Sequence, residues 1–135
     1  MDFRNRFSDL AKKYNLNYQY QEFENCYNGN WFVYTHSLYN NSGCFTIHCV
    51  AQRAEVECYY TERFSNDRKE LCGKQINVFE VEKEIWKKRE KIWFFKNPFY
   101  YWNPDRVINT LIEVIEISIK RNNEFFGIKI MQEKT

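Results

Sequence analysis

Short stretches in which apolar and polar residues alternate follow one another from residue 16 to residue 61, separated by turn sequences. Because the side chains of a strand point to opposite faces in turn, this period of two predicts half-buried strands. Asn28-Gly29 is typical of a tight hairpin turn, and the Asn-Asn-Ser-Gly sequence at residues 40–43 indicates another. With a short connection at residues 52–53, these turns predict four consecutive antiparallel strands in a meander.

The same turns predict how the second half of the meander is paired. If the loops are centred on residues 41–42 and 52–53, Phe45 lies opposite Leu38 and Tyr60. The face that carries these three residues, here called the inner face, is almost wholly apolar, and we expect it to form the core. The outer face mixes small, polar and charged residues, which indicates contact with water or with a partner.

Two helical patterns flank the predicted sheet. Residues 2–14 place apolar side chains at helical spacing, which predicts an amphipathic first helix. The sequence Asn-Pro-Asp at residues 103–105 is typical of a helix start, because Asn is a favoured N-cap and Pro fits the first helical position. The helix that begins there is expected to run to about Arg121, with Glu116 and Lys120 paired one turn apart on its flank.

The remaining segments complete the predicted fold. The polar residues 62–73 are expected to form a loop, residues 75–79 a short fifth strand, residues 80–91 a helix, and residues 125–131 a last strand that joins the edge of the sheet. The sequence thus predicts one α+β domain over residues 1–135. Its antiparallel meander sheet of four to six strands is packed on one face by the N-terminal helix and the long C-terminal helix.

The charge balance constrains the class of partner. The chain carries 20 basic and 18 acidic residues and a net charge of +2, so it has no large excess of positive charge to attract nucleic acid. Basic residues followed by aromatic ones, as at residues 87–95, can bind single strands. Glutamates one turn earlier favour a self-neutralised helix face instead. The longest apolar stretch, residues 107–119, contains Asn109, Glu113 and Glu116, so no membrane-spanning segment is expected.

Cysteine and histidine usage bears on the redox compartment and on cofactors. The five cysteines are Cys26, Cys44, Cys49, Cys58 and Cys72. An odd number of cysteines without a secretory signal favours reduced thiols and a cytoplasmic protein. No Cys-x-x-Cys pair is present and the chain has only two histidines, so the sequence predicts neither a structural metal site nor a cofactor.

Polar residues of the outer face are the candidates for acid–base chemistry. In the predicted register His48 lies opposite Glu57, with Thr35 on its other side. A carboxylate beside an imidazole raises the imidazole pKa and supports proton transfer. No nucleophile accompanies the pair, so an ordinary cross-strand contact is the simpler interpretation. The alternating acids Glu55 and Glu57 lack the further ligands of a divalent metal site, and we interpret them as strand residues.

The densest group of aromatic residues lies between residues 93 and 102, around Pro98, where regular structure is least expected. The partner-binding candidates of this segment are Trp93, Phe95, Phe99, Tyr100, Tyr101 and Trp102. A loop that closes one end of the core would bury some of these rings. Exposed rings would instead anchor a partner, since Trp and Tyr dominate interface hot spots.

These observations favour a protein-binding module over an enzyme. A small α+β scaffold without a catalytic set is typical of toxin-neutralising immunity proteins, which need only a rigid surface complementary to one protein partner, the cognate toxin. The predicted interface combines the segment 93–102 with Glu55, Glu57 and Tyr59 of the outer face. The alternative is a small enzyme or ligand-binding domain in which sheet and helices enclose an aromatic-lined pocket.

Overall fold

The structure, a computed structural model, describes residues 3–26, 29–51, 55–76 and 104–131. Within these residues the helices are α1 (Arg4–Lys13), α2 (Arg68–Leu71) and α3 (Pro104–Asn122). The strands are β1 (Asn17–Cys26), β2 (Trp31–Asn40), β3 (Gly43–Val50), β4 (Glu55–Thr61), β5 (Lys74–Gln75), β6 (Glu124–Phe125) and β7 (Ile128–Lys129). The predicted helix at residues 80–91 and the aromatic segment 93–102 lie outside the described residues.

The predicted α+β meander is confirmed. Five strands form one antiparallel sheet in the order β1-β2-β3-β4-β5. Phe45 pairs with Leu38 and with Tyr60, as the turn positions predicted. The register shifts between Phe23 and Cys26 at the end of β1. This bulge absorbs the extra residues of β1 before the first hairpin turn.

Two helices cover the inner face of the sheet and build the core with it. The α1 residues buried there are Phe7, Leu10 and Ala11. The buried residues of α3 are Ile108, Leu111, Ile112, Val114, Ile115, Ser118 and Ile119. The inner-face strand residues in the same cluster are Leu38, Phe45, Ile47, Cys49 and Cys58. The predicted packing of the N-terminal and C-terminal helices on one face is therefore confirmed.

The polar side of α3 links the two helices at the surface. Lys13 Nζ of α1 lies 2.7 Å from Glu116 Oε2, and the predicted Glu116–Lys120 pair is present at 3.6 Å. Such exposed pairs contribute little stability each, about 0–1 kcal/mol. In the part of the chain that the structure describes, no helix is both long enough and apolar enough to span a membrane.

The C-terminal residues form a separate hairpin, which corrects the prediction of a last strand over residues 125–131 that joins the sheet edge. β6 and β7 have two residues each and pair with one another. Phe126 and Gly127 have positive φ angles of 45° and 89°, and these reverse the chain after two residues of strand. The hairpin docks on the β2–β3 turn, where the backbone N–H of Lys129 donates to Ser42 Oγ at 2.9 Å.

The centre of the outer face is buried, which corrects the prediction that this face meets water or a partner. Residues 62–73, here called the covering segment, run across it. Phe64 stacks on Tyr39 of β2 with ring centroids 4.5 Å apart. Asn66 Oδ1 accepts a hydrogen bond from Gln21 Nε2 of β1 at 3.2 Å. The buried outer-face residues of β2 and β3 are Val33, Thr35, Ser37, Cys44, Thr46, His48 and Val50.

One short helix and one apolar anchor hold the covering segment. Asp67 caps α2, since its side chain accepts a hydrogen bond from the backbone N–H of Lys69 at 3.0 Å. Leu71 of α2 is fully buried. The chain then passes β4 so closely at Gly73 that a Cβ atom there would lie 2.6 Å from the carbonyl oxygen of Tyr60. The prediction of a plain loop therefore missed both a helix and its burial.

Candidate functional site

A row of polar residues crosses four strands on the outer face. Gln21, Thr35, His48 and Glu57 are register neighbours in β1, β2, β3 and β4. The predicted placement of His48 between Thr35 and Glu57 is confirmed. Two buried oxygens of this row, Gln21 Oε1 and Thr35 Oγ1, have no hydrogen-bond partner among the described residues. Burying an oxygen without a partner costs about 1–3 kcal/mol, whereas Gln21 Nε2 of the same row donates to Asn66 Oδ1 of the covering segment.

His48 is enclosed between β3 and the covering segment. Its side chain is 1% exposed. Cys72 Sγ lies 3.7 Å from His48 Nδ1, and the Tyr59 ring meets the imidazole edge to face with centroids 5.9 Å apart. Cys72 and Arg68 belong to the covering segment and were not predicted as neighbours of His48. Nothing in the sequence indicates that this segment folds back over β3.

Burial keeps this group of side chains uncharged. It lowers the pKa of His48 below its ordinary value, and the positive charge of Arg68 lowers this pKa further, against the opposing effect of Glu57. Burial also raises the pKa of the Cys72 thiol, and Arg68 offsets only part of this rise. At neutral pH the pair is therefore a thiol beside a neutral imidazole. Since the thiolate is the reactive form of cysteine, this arrangement favours a structural contact over nucleophilic catalysis.

We expect the stability of the protein to fall as the pH is lowered from about 7 to about 5, and His48 to account for part of the fall. Because the folded-state pKa of His48 is lowered, the unfolded chain takes up a proton more readily than the folded chain. The stabilisation is complete above the ordinary pKa of about 6.5 and is lost as the pH falls through the lower folded-state pKa. Among the described residues, the titratable or charged groups that contact His48 or shift its pKa are Glu57, Arg68, Cys72 and Tyr59.

Urea unfolding of the native chain and of a His48→Gln variant at a series of pH values checks this expectation. Glutamine keeps a polar side chain in the site but does not titrate. The variant should therefore show a shallower dependence of the unfolding free energy on pH, whatever its stability at neutral pH. Equal slopes in the two proteins would show that His48 does not carry the effect.

Two of the predicted partner-binding residues remain accessible at the β4 end of the polar row. Glu57 and Tyr59 are half-buried, and the Tyr59 hydroxyl donates a hydrogen bond to Glu57 Oε2. Glu55 lies two residues earlier in β4, on the same face. The predicted partner-binding residues that lie outside the described residues are Trp93, Phe95, Phe99, Tyr100, Tyr101 and Trp102.

A pocket of about 360 Å³ lies at one end of the inner face, where α1 and α3 both begin. Its aromatic lining residues are Phe3, Tyr20, Phe32 and Tyr34. Arg4, in the first turn of α1, and Asp105, in the first turn of α3, add a cation and an anion. His48 and Glu57 lie on the opposite face of the sheet. This aromatic pocket is therefore separate from the predicted acid–base pair.

His36 forms part of the aromatic pocket and is held firmly in the core. It is 3% exposed, and its Nδ1 is hydrogen bonded to the Tyr18 hydroxyl at 2.7 Å. Phe7 stacks on the imidazole with centroids 4.6 Å apart. The Tyr20 and Tyr34 rings lie 5.2 Å and 6.0 Å from it. The pocket is thus built on a rigid cluster of rings.

The His, Cys, Asp and Glu side chains of the described ranges do not converge on a common point. In those ranges no group of three or more His, Cys, Asp or Glu side chains is placed to hold a metal ion. All five cysteines are free thiols, and Cys72 alone among them is not fully buried. Burial raises the pKa of Cys49 to about 12, so this thiol is inert at neutral pH. Comparison of the chain with protein-family models, with curated proteins and with solved structures found no match.

Proposed function

We propose that this chain is a protein-binding module, most specifically an immunity-type inhibitor that neutralises a toxin by covering part of its surface. The observation that supports this best is the accessible Tyr59–Glu57 pair of β4. Tyrosine is enriched among the residues that dominate interface energies. Because the two side chains are already hydrogen bonded to one another, they lose little conformational freedom on binding. The pair has both the chemistry and the rigidity of an interface anchor.

The scaffold behind the pair suits this role. β4 is paired with β3, and the β3 neighbours of Tyr59 and Glu57, which are Thr46 and His48, are both buried. Glu55 and Glu57 lie two residues apart in β4 and are here called the acidic strip. The complementary surface of the partner would therefore be basic. The aromatic residues of the segment 93–102 would add apolar contact to this strip. We place the chain in the cytoplasm, where free thiols stay reduced.

Affinity capture from a lysate of the source organism tests the proposal. The tagged native chain is expected to retain one dominant protein in stoichiometric amount. A double variant, Glu57→Gln with Tyr59→Phe, removes the charge and the hydroxyl while it keeps the shape of both side chains. We expect the affinity of this variant for the captured protein to fall by about 10–100-fold, because both members of the anchor lose their polar contacts.

β1 offers a matched control for this double variant. There the Tyr20 hydroxyl donates to Glu22 Oε2 at 2.6 Å, which is the same pair of residue types at the same spacing in a different strand. A Tyr20→Phe, Glu22→Gln variant is expected to bind the captured protein as the native chain does. Equal binding by both double variants, or equal loss in both, would contradict an interface centred on β4.

A further inference from the structure

The aromatic pocket of the inner face supports an inference that goes beyond partner binding. Its walls are rings that meet at intermediate angles. The Phe32 and Tyr34 centroids lie 6.4 Å apart with the planes tilted by 37°, and Tyr20 and Tyr34 lie 6.4 Å apart with a tilt of 43°. Because these rings already contact one another, a flat ligand ring would lie on the wall that they form, either stacked with an offset on one of the rings or edge on to it. Both geometries are favourable for aromatic pairs.

The volume of the pocket limits the size of its ligand. About 360 Å³ is near the lower end of the range for small-molecule sites, which is roughly 300–1,000 Å³. A cavity of about 150 Å³ is enough for benzene, so this pocket accommodates one or two fused rings. Burial raises the pKa of the Tyr34 phenol, which is also hydrogen bonded to Cys49, so the wall that it forms stays uncharged.

The charges at the pocket distinguish between classes of ligand. The Arg4 guanidinium lies over the Tyr20 ring, 5.1 Å from its centroid. A positive charge at that position repels an organic cation, which a cluster of aromatic rings would otherwise attract. The Asp105 carboxylate has the opposite preference, so the two charges cancel and favour neither a net cation nor a net anion. A neutral ring with an acceptor on one edge and a donor on another is complementary to both charged groups.

We propose that this pocket binds an uncharged planar heterocycle of one or two rings, with a hydrogen-bond acceptor facing Arg4 and a donor facing Asp105. Adenine is a suitable probe, since it is flat and neutral and carries both ring-nitrogen acceptors and an amino donor. The pocket and the acidic strip of β4 lie on opposite faces of the sheet. Failure of one proposal therefore leaves the other standing.

Titration of the native chain with adenine, followed by NMR, tests the proposal. Saturable shifts are expected for the ring protons of Tyr20, Phe32 and Tyr34, which line the pocket. Tetramethylammonium is the competing probe for a cation site, and it is expected to bind more weakly than adenine. The absence of saturable adenine shifts, or tighter binding of tetramethylammonium, would overturn the proposal.

Charge-removing variants test the assigned contacts. Arg4→Gln and Asp105→Asn are each expected to weaken adenine binding by about tenfold, the usual effect of losing a hydrogen bond to a charged group. Arg6→Gln and Glu113→Gln are the matched controls, since they remove the same charges from α1 and α3 at positions outside the pocket. Their adenine affinity is expected to equal that of the native chain.

The exposed position of Arg4 keeps this test valid even if Asp105→Asn disturbs the start of α3. A tenfold loss in Arg4→Gln alone, with an unchanged amide spectrum elsewhere, would support the Arg4 contact. Adenine affinity that is unaltered in Arg4→Gln, or that falls equally in Arg6→Gln, would overturn the proposed orientation of the ligand.

Discussion

Replacing Phe45 with alanine is expected to lower the free energy of unfolding by about 3–5 kcal/mol. Phe45 is fully buried in β3, the middle strand of the five-stranded sheet. It stacks on Phe126 with ring centroids 4.9 Å apart and meets the edge of Phe125 at 5.9 Å. The substitution removes these contacts and leaves a cavity between β3 and the C-terminal hairpin. Urea unfolding followed by circular dichroism measures the loss.

Phe64→Ala is a matched control, because it removes the same ring from a half-buried site where the ring stacks on Tyr39. The expected loss there is about 0.5–1.5 kcal/mol, the usual contribution of an aromatic pair. If Phe45→Ala cost no more than Phe64→Ala, the sheet and the C-terminal hairpin would not share one cooperative core.

The position of Phe45 could be predicted from the sequence because it depends only on local information. The period of two determines which residues share a face, and the turn sequences determine which residues lie opposite one another. These two rules were sufficient to place Phe45 opposite Leu38 and Tyr60, on the face that the helices cover. The helices α1 and α3 were predictable for the same reason, since their apolar stripes repeat at helical spacing.

The burial of the outer face could not be predicted in this way, because it depends on a segment from outside the meander. Residues 62–73 are mostly polar, and a pattern without periodicity indicates surface loop. The only signals were the apolar residues Phe64 and Leu71 within that segment and apolar positions such as Val33 and Val50 on the outer face. Neither signal indicates the path of the chain.

Each of the two candidate sites combines a part that the strand register predicts with a part that depends on tertiary packing. The strand neighbours of His48, Thr35 and Glu57, followed from the register alone. Its contacts with the covering segment did not, because they depend on tertiary packing. The aromatic pocket likewise combines strand residues of a predictable face with Arg4 and Asp105, whose approach depends on how α1 and α3 dock on the sheet.

Replacing Leu71 with alanine is expected to lower the free energy of unfolding by about 2–5 kcal/mol and to loosen the covering segment. Leu71 is the buried residue of α2. A helix of four residues has no stability of its own, so the segment depends on this apolar anchor. Loosening the segment uncovers Cys72, whose rate of alkylation by iodoacetamide under native conditions provides a second measurement beside urea unfolding.

Leu71→Met keeps most of the side-chain volume and is the control, with an expected cost below about 1.5 kcal/mol and an unchanged alkylation rate. In Leu71→Ala, alkylation should be faster, because local opening of the segment requires less free energy than unfolding of the sheet. Stability that is unchanged in Leu71→Ala would contradict the role of Leu71 as anchor.

Loosening the covering segment also bears on the charge state of His48. The pKa of His48 is low chiefly because the site is buried, so hydration of the site returns this pKa towards its ordinary value. Leu71→Ala is therefore expected to flatten the pH dependence of stability, as His48→Gln does, although it leaves the imidazole in place. If Leu71→Ala lost stability but kept the native pH dependence, the covering segment would not be what lowers the pKa of His48.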